Sequence, residues 1–333
     1  MQKTSLLTIK EKIDLLSIEK RAFINGKYVN AINGSFISKK SSVDGRDLSG
    51  ISSCQQEDVD LAVQYAKTAF NSKSWSRKTQ EEKKNILLKL ADLIEEHKEE
   101  LALLDTIETG RSFKNYFYDS IPKAITTLRY FAECADKYYD HAIPPRQNAS
   151  ATITKEPLGV VALITPWNDP LVVSIWKLAP ALLMGNSIII KPAEQSSFSI
   201  LLVARLTKEA GVPDGVFNVV TGYGEITGKA LALHHDISGV FFTGSSVIGK
   251  KILQYSGQSN MKRVVLECGG KSPFIVSKRC TNLAKSAKSL AKNMFYNQGQ
   301  ICSAPSRAII DNEIKDSFIK LLRTELEKYT PQN

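Results

Sequence analysis

Hydrophobic positions in the first 140 residues recur mainly at helical spacing. The clearest case is residues 79–97, where Ile86, Leu90 and Leu93 form one apolar stripe among charged positions. Gly110 follows a further helical pattern at the position where a left-handed C-terminal glycine is common. The helices predicted in this half are residues 9–20, 58–72, 79–97, 98–109 and 112–139.

A hairpin and an irregular stretch interrupt this helical pattern. β-forming residues flank Asn25 and Gly26, a pair that accepts the positive φ angles of a tight two-residue turn. Residues 23–29 are therefore predicted to form a hairpin. Residues 31–55 are rich in Ser and Gly and are predicted to be irregular, and the two prolines at residues 144–145 are expected to close this half of the chain.

After residue 150, short apolar segments alternate with longer amphipathic ones. This alternation predicts βαβ units in which helices cover both faces of a parallel sheet. The fold class is therefore predicted to be α/β, with a Rossmann-like open parallel sheet. The predicted strands are residues 152–155, which would stand alone, 159–164, 187–191, 216–220, 239–243, 263–266 and 306–310. The predicted helices are residues 171–184, 197–211, 225–234, 246–256 and 281–296.

Small, polar or aromatic residues follow the predicted strands at the point where each strand ends. Ligands bind outside the carboxyl ends of the strands in sheets of this kind. These residues are therefore the first candidates for a functional site. They are residues 166–168, 191–194, 221–224, 243–245 and 267–270.

Composition excludes several classes of protein. The chain has 333 residues, of which 43% are hydrophobic and 23% are charged, values typical of a folded protein of about two domains. No apolar run approaches the roughly 20 residues needed to span a bilayer, so no membrane partner is expected. The net charge of +10 comes from lysines interleaved with glutamates on helix faces, so no nucleic-acid partner is expected either.

Cysteine and histidine usage narrows the chemistry. The five cysteines are widely spaced with no Cys-x-x-Cys pair, and the first residues lack a secretory signal, which favours free thiols in a cytoplasmic protein. The four histidines include no pair spaced to ligate a metal from one helix face, so no metal site is expected. The same scarcity argues against a mechanism with a histidine base.

One cysteine is the leading candidate for a nucleophile. Cys302 lies in a glycine-containing loop, residues 298–303, between a predicted helix and a predicted strand. Its main rival is Cys268, which follows Glu267 at the end of an apolar strand. The Glu267 carboxylate could serve as a general base or could simply cap backbone N–H groups. For either cysteine, the alternative is an inert buried thiol.

A glycine-containing turn at residues 244–251 resembles a phosphate-binding loop without matching either common pattern. It follows a predicted strand and opens a helix, where backbone N–H groups can bind a phosphate. The Rossmann spacing of glycines is absent, and Lys251 stands where a P-loop needs a Ser or Thr for Mg²⁺. P-loop nucleotide hydrolysis is therefore disfavoured, and a plain helix start remains an alternative.

Five motifs in one order and spacing resemble the NAD(P)-dependent aldehyde dehydrogenase superfamily. The resemblance covers nearly the whole chain from Phe23 onward, and the stretches 259–264 and 295–300 are similar to bacterial γ-glutamyl-γ-aminobutyraldehyde dehydrogenases. The motifs are Pro-Trp-Asn at 166–168, Lys-Pro-Ala-Glu at 191–194, Phe-Thr-Gly-Ser at 242–245, Leu-Glu-Cys-Gly-Gly-Lys-Ser-Pro at 266–273 and Gly-Gln-Ile-Cys at 299–302.

The resemblance implies oxidation of an aldehyde, such as an aminoaldehyde, to a carboxylic acid. Cys302 would attack the aldehyde as a thiolate, and Glu267 would activate the water that hydrolyses the resulting thioester. The oxyanion would accept hydrogen bonds from the Asn168 side chain and from the Cys302 backbone N–H. None of these roles requires a histidine or a metal.

The resemblance also implies NAD as the cofactor. A carboxylate at Glu194 would accept a hydrogen bond from the ribose 2′-hydroxyl and repel a 2′-phosphate, so NAD is predicted over NADP. The implied cofactor-binding residues are Thr165, Pro166, Trp167, Lys191, Glu194, Gly224, Phe242, Gly244, Ser245, Ile248 and Gly249.

The chain departs from the family pattern at three places. Asp169 follows Asn168 where an aromatic residue is commoner, and Cys268 stands where Leu is usual. The family pattern also continues beyond residue 333. We therefore expect a truncated product whose second domain has an unpaired sheet edge and an exposed apolar face.

The expected truncation determines which domains and partners are predicted. We expect an NAD-binding domain over residues 1–130 and 151–261, an oligomerisation arm or linker over 131–150, and an incomplete catalytic domain over 262–333. A family-like homo-oligomer would then lack part of its interface. The alternative function is a catalytically inactive dinucleotide-binding product that associates with full-length subunits.

Overall fold

The computed structural model of the chain describes residues 8–329, which divide into two units. The first unit runs from the first described residue to Thr243 and resumes over Val247–Leu266. The second unit comprises Gly244–Ser246 and the described residues from Glu267 onward. Within residues 8–329, each helix is too short or too polar to cross a membrane.

The strands and helices have the following bounds. The strands are β1 (Ala22–Ile24), β2 (Lys27–Val29), β3 (Phe36–Lys40), β4 (Asp47–Ser52), β5 (His141–Arg146), β6 (Ala149–Ile153), β7 (Val160–Ile164), β8 (Ser187–Lys191), β9 (Phe217–Val219), β10 (Gly239–Gly244), β11 (Arg263–Cys268), β12 (Pro273–Val276) and β13 (Arg307–Ile310). The helices are α1 (Ile9–Asp14), α2 (Gln56–Asn71), α3 (Gln80–Glu96), α4 (Lys98–Thr109), α5 (Phe113–Asn115), α6 (Ile121–Glu133), α7 (Pro170–Leu183), α8 (Phe198–Ala210), α9 (Lys229–Leu233), α10 (Ser246–Gln258), α11 (Leu283–Met294) and α12 (Lys315–Leu326). Single turns of π-helix lie at Tyr116–Ser120 and Gly224–Gly228, and short 3₁₀ turns lie at Tyr296–Gly299, Asn312–Ile314 and Glu327–Tyr329.

A seven-stranded sheet in the order β11–β10–β7–β8–β9–β1–β2 forms the centre of the first unit. Strands β10, β7, β8 and β9 are mutually parallel, and every residue of β7 and β8 is buried. Strands buried on both faces need unbroken apolar runs, which is the pattern that the sequence shows. The predicted α/β fold class is therefore confirmed.

Local sequence signals fix several element ends. Asn25 and Gly26 both adopt positive φ angles and join β1 to β2, as the hairpin prediction requires. Thr79 and Glu82 form a reciprocal capping box at the start of α3. Gly110 ends α4 in the left-handed conformation.

Two short antiparallel ribbons correct the prediction. Residues 31–55 are not irregular throughout, because β3 pairs with β4 and brings Ile37 opposite Ile51, both of them buried. Residues 152–155 do not form a lone strand, because β6 pairs with β5 in a ribbon whose register shifts between Ile143 and Arg146. Such an irregularity accommodates the prolines of β5, which cannot donate to a regular ladder.

Two predicted helices are shorter than expected. The first helix ends at Asp14 instead of continuing to residue 20. The aromatic helix predicted over 112–139 is divided by a π-helical turn and ends at Glu133.

The second unit contains a two-stranded parallel sheet, β12 with β13, and two helices. Val276, Leu290 and Phe318 form its small core with α11 and α12. Ile275 and Ile309 are opposite each other in the sheet and are 72% and 50% exposed. The expected exposed apolar face is therefore present, whereas β12 and α12 were not predicted.

Candidate active site

The carboxyl end of β7 carries the first group of candidate residues. Thr165 is buried, and its backbone N–H donates to the carbonyl of Lys191 at 3.1 Å. This bond ties the ends of β7 and β8 together. Pro166 and Asn168 are half-buried, and Trp167 is 39% exposed. The Pro-Trp-Asn motif therefore lies at the sheet edge where ligands of parallel sheets bind.

Asp169, directly after Asn168, is held by a buried arginine. Its carboxylate accepts hydrogen bonds from Arg111 Nη1 at 3.0 Å and from Ser120 Oγ at 3.2 Å. Burial raises the pKa of Asp169, and the Arg111 guanidinium acts in the opposite direction. Because Asp169 is also the N-cap residue of α7, this ion pair fixes the start of that helix beside Asn168. The buried arginine explains how the chain accommodates a carboxylate at this position.

A buried lysine at the end of β8 is paired with a half-buried acid in the loop that follows. Lys191 Nζ donates to Glu194 Oε2 at 3.2 Å and to the carbonyl of Pro192 at 3.1 Å. Burial lowers the pKa of Lys191, and the Glu194 carboxylate opposes that change. The pair offers a donor and an acceptor side by side, an arrangement suited to binding sugar hydroxyls.

Glycines and apolar residues occupy the neighbouring strand ends. Gly224 starts the π-helical turn after β9, and a Cβ built there would meet no atom within 4 Å. Phe242 is buried in β10, while Ile248 is exposed and Gly249 is buried in α10. Two further candidates belong to the second unit: Gly244, which ends β10, and Ser245, which links β10 to α10.

Exposed apolar side chains follow three of the parallel strands in the first unit. Trp167 follows β7, Tyr223 and Ile226 follow β9, and Ile248 follows β10. The carboxyl ends of parallel strands meet at one edge of a sheet, so this edge is apolar as well as glycine-rich. The strand-end candidates predicted from sequence, residues 221–224, include Tyr223. Ile226 was missed, since exposed apolar side chains cannot be told from buried ones by residue type alone.

The second unit places the Cys302 thiol beside the Glu267 carboxylate. Cys302 is half-buried. Its pKa is raised first by burial and then by the hydrogen bond that the thiol donates to the Glu267 carboxylate and by repulsion between that carboxylate and the thiolate. At neutral pH the sulfur is therefore held as a thiol next to a carboxylate that can accept its proton.

The other cysteines fit a nucleophilic role less well. Glu267 and Cys268 are consecutive in β11, so their side chains point to opposite faces of the strand. Cys268 therefore does not share the face on which Glu267 meets Cys302. Burial raises the pKa of Cys54 to about 12, which makes its thiol inert at neutral pH.

The loop before Cys302 has an unusual backbone. Asn297, Gln298 and Gly299 have φ angles of +50°, +56° and +77°. The left-handed region costs a non-glycine residue about 1 kcal/mol, and such strain is concentrated at functional sites. A Cβ built at Gly270 would lie 3.6 Å from the Cys302 carbonyl oxygen, so the turn after β11 lies close to the thiol's backbone.

Metal ligands are not grouped in the part of the chain that the structure describes. Among residues 8–329, no cluster of three or more His, Cys, Asp or Glu side chains could hold a metal ion.

Comparisons with known proteins identify relatives of the chain. The family model described as "Aldehyde dehydrogenase family" matches residues 28–333. The NADP/NAD-dependent aldehyde dehydrogenase PuuC of Escherichia coli (strain K12) is 44% identical over 97% of this chain, which spans 65% of that relative's length. Among solved structures, an indole-3-acetaldehyde dehydrogenase in complex with NAD+ has a TM-score of 0.96 and 42% identity, and the match covers 98% of this chain and 67% of that one. The γ-glutamyl-γ-aminobutyraldehyde dehydrogenase of Burkholderia cenocepacia J2315 has a TM-score of 0.95 and 42% identity, with the same coverage.

The buried ion pair beside Asn168 gives a stability prediction. We expect Arg111→Gln to lower the free energy of unfolding by about 3 kcal/mol, because it leaves the Asp169 carboxylate buried without its cation. The matched control is Arg129→Gln, since Arg129 is exposed and pairs with Asp92 and Glu95, and its loss should cost less than about 1 kcal/mol. Urea unfolding measures both changes, and equal losses in the two variants would contradict the buried-pair interpretation.

Proposed function

The chain belongs to the aldehyde dehydrogenase family, and we propose that it oxidises an aldehyde to a carboxylic acid with NAD through a covalent intermediate on Cys302. The observation that carries the proposal is the pairing of the Cys302 thiol with the Glu267 carboxylate. Family membership supports the reaction class, and the pairing supports the assignment of the nucleophile and the base.

The proposed reaction begins with removal of the thiol proton. Glu267 accepts the proton of Cys302, and the thiolate then forms a bond to the aldehyde carbon. Bound NAD supplies the acceptor for the hydride that this carbon must lose. Once the carbon has been oxidised it is held on Cys302 as a thioester. Glu267 releases this first proton to solvent and then removes a proton from water, which attacks the thioester. The carboxylic acid leaves as Glu267 returns the second proton to the sulfur.

Asn168 is proposed as the donor to the oxyanion that forms on the aldehyde oxygen. Its side-chain amide has the chemistry required, and preorganised donors of this kind contribute about 3 kcal/mol to a transition state. Support comes from its place directly before the N-cap of α7, where the ion pair of Asp169 with Arg111 restricts the backbone. The Cys302 backbone N–H is the second proposed donor.

The residues at the sheet edge fit a dinucleotide. The pairing of Lys191 with Glu194 suits ribose hydroxyls, and the open space at Gly224 admits close approach of a ligand. The buried hydroxyl of Thr243 has no partner among the described atoms, as expected at an edge that can receive a polar ligand. The proposed NAD-binding residues are Thr165, Pro166, Trp167, Lys191, Glu194, Gly224, Phe242, Gly244, Ser245, Ile248 and Gly249.

The proposed substrate is an aminoaldehyde or an acylated aminoaldehyde. The similarity to a γ-glutamyl-γ-aminobutyraldehyde dehydrogenase supports this class. We also propose a cytoplasmic setting, because a nucleophilic thiol needs a reducing compartment. Residues 131–150 are proposed as an arm for association with further subunits. The alternative function is dinucleotide binding without turnover, which the following assay separates from oxidation.

Turnover should depend on Cys302 and not on Cys268. We expect NADH formation with an aminoaldehyde and with a simple aliphatic aldehyde, measured by absorbance, and a loss of at least about a thousandfold in Cys302→Ala. Cys268→Ala is the matched control and should keep activity within about tenfold, because Cys268 lies on the other face of β11.

The outcomes of this assay are distinct. Activity that survives Cys302→Ala would assign the covalent step to another group. NAD binding without NADH formation by the wild type would favour the alternative, dinucleotide binding alone.

Glu194 should govern the choice between NAD and NADP. We expect Glu194→Ser to raise the ratio of NADP affinity to NAD affinity by at least about tenfold, since it removes both the acceptor for the 2′-hydroxyl and the charge that repels a 2′-phosphate. Isothermal titration calorimetry with both dinucleotides measures the ratio. Glu209→Gln, a surface variant on α8, is the control, and a ratio unchanged in Glu194→Ser would exclude this role.

A further inference from the structure

A buried acid from a distant helix binds the loop that precedes α8. Glu108 lies in the last turn of α4, and its side chain is completely buried. One carboxylate oxygen accepts the backbone N–H of Ser197 at 2.9 Å, and the other accepts that of Phe198 at 2.8 Å. The contact joins residues 89 or 90 positions apart in the chain.

This carboxylate is the cap of α8. The first N–H groups of a helix have no partner within the helix, and a negative charge there is favourable. Ser197 occupies the N-cap position, but its hydroxyl does not cap the helix and instead donates to the carbonyl of Ala193 at 2.9 Å. Glu108 therefore supplies the acceptors that the local sequence does not.

The same contact extends into the loop that carries Glu194. The carbonyl of Ala193 accepts both the Ser197 hydroxyl and the backbone N–H of Ser196, at 2.9 and 3.0 Å. These bonds close a tight turn around Glu194. Because Glu108 holds one end of this turn at Ser197, a change at Glu108 would shift the Glu194 backbone.

A lysine from the first ribbon provides the counter-charge. Lys39, on β3, is buried, forms an ion pair with Glu108 and lies 4.4 Å from the centre of the Phe198 ring. Burial raises the pKa of Glu108, while Lys39 and the two N–H groups stabilise its charged form. Two charged side chains are thus buried at the start of one helix. Burying charges costs free energy, so the arrangement indicates that the position of this helix start matters.

We propose that Glu108, with Lys39 as its counter-charge, is a positioning residue that sets the preference for NAD over NADP without touching either dinucleotide. Glu108 fixes the turn around Glu194, so that this carboxylate meets the 2′ position of the ribose. The inference rests on the proposed function, because it assumes that Glu194 faces the adenosine ribose.

The test compares dinucleotide affinities in Glu108→Gln and in Glu100→Gln, a surface control on the same helix. By calorimetry at 25 °C we expect the dissociation constant for NAD to rise roughly tenfold in Glu108→Gln, the effect of one misplaced hydrogen bond to a charged group. The constant for NADP should change by less than about threefold, because a displaced Glu194 also repels the 2′-phosphate less. A merely structural defect would weaken both dinucleotides equally.

A second variant separates positioning from folding. Lys39→Met/Glu108→Gln leaves neither charge buried alone, so we expect it to melt at a higher temperature than Glu108→Gln while its preference for NAD stays reduced.

Each outcome bears on the proposal. A wild-type NAD preference in either folded variant overturns it, and so does a failure of both variants to fold, which would make Glu108 a structural residue only. If the wild type and Glu100→Gln bind neither dinucleotide, the proposed function fails and the inference falls with it.

Discussion

The contact between the Cys302 thiol and the Glu267 carboxylate is the interaction on which the proposed chemistry of this chain depends. The Glu267 carboxylate raises the pKa of the half-buried Cys302 thiol, so the sulfur keeps its proton at rest. The same carboxylate can accept that proton when the thiolate is needed. Asn297 and Gln298, which have left-handed backbone conformations, lie in the loop that precedes Cys302. An acid-base pair of this kind can form and hydrolyse a thioester with no imidazole, in keeping with a sequence of only four histidines.

The buried parallel strands impose a second constraint. Since β7 and β8 bury every side chain, polar groups can collect only beyond their carboxyl ends. Two helices start there, and each start is fixed by a buried ion pair from outside the sheet. Arg111 binds Asp169 at the start of α7, and Lys39 supports Glu108 at the start of α8. The loops at this edge of the sheet are thus held by charges and not by apolar packing alone.

Much of this fold could be predicted from the sequence. The features that were missed depend on contacts between residues far apart in the chain. Short-range patterns predict the alternation of strands and helices and the hairpin at Asn25. They also predict the start of α3 at Thr79 and the end of α4 at Gly110. The ribbon of β3 with β4 was missed because β3 buries Lys39, whose partner Glu108 is 69 residues away. The candidate base Glu267 was identifiable from its strand-end position, and the candidate nucleophile Cys302 from its glycine-containing loop. The pairing of Arg111 with Asp169, in contrast, depends on tertiary contacts that no local pattern records.

The most direct measurement is the pH dependence of Cys302 alkylation by iodoacetamide in the wild type and in Glu267→Gln, resolved from the other cysteines by peptide mapping. Removing the negative charge removes a cause of the raised thiol pKa. Thiolate accumulates as the pH rises through the thiol pKa, so we predict that the midpoint for Cys302 moves to lower pH in the variant. Cys280, whose thiol contacts Ser286, should keep its profile as an internal reference. An unchanged Cys302 midpoint, or an equal shift at Cys280, would contradict a thiol controlled by Glu267.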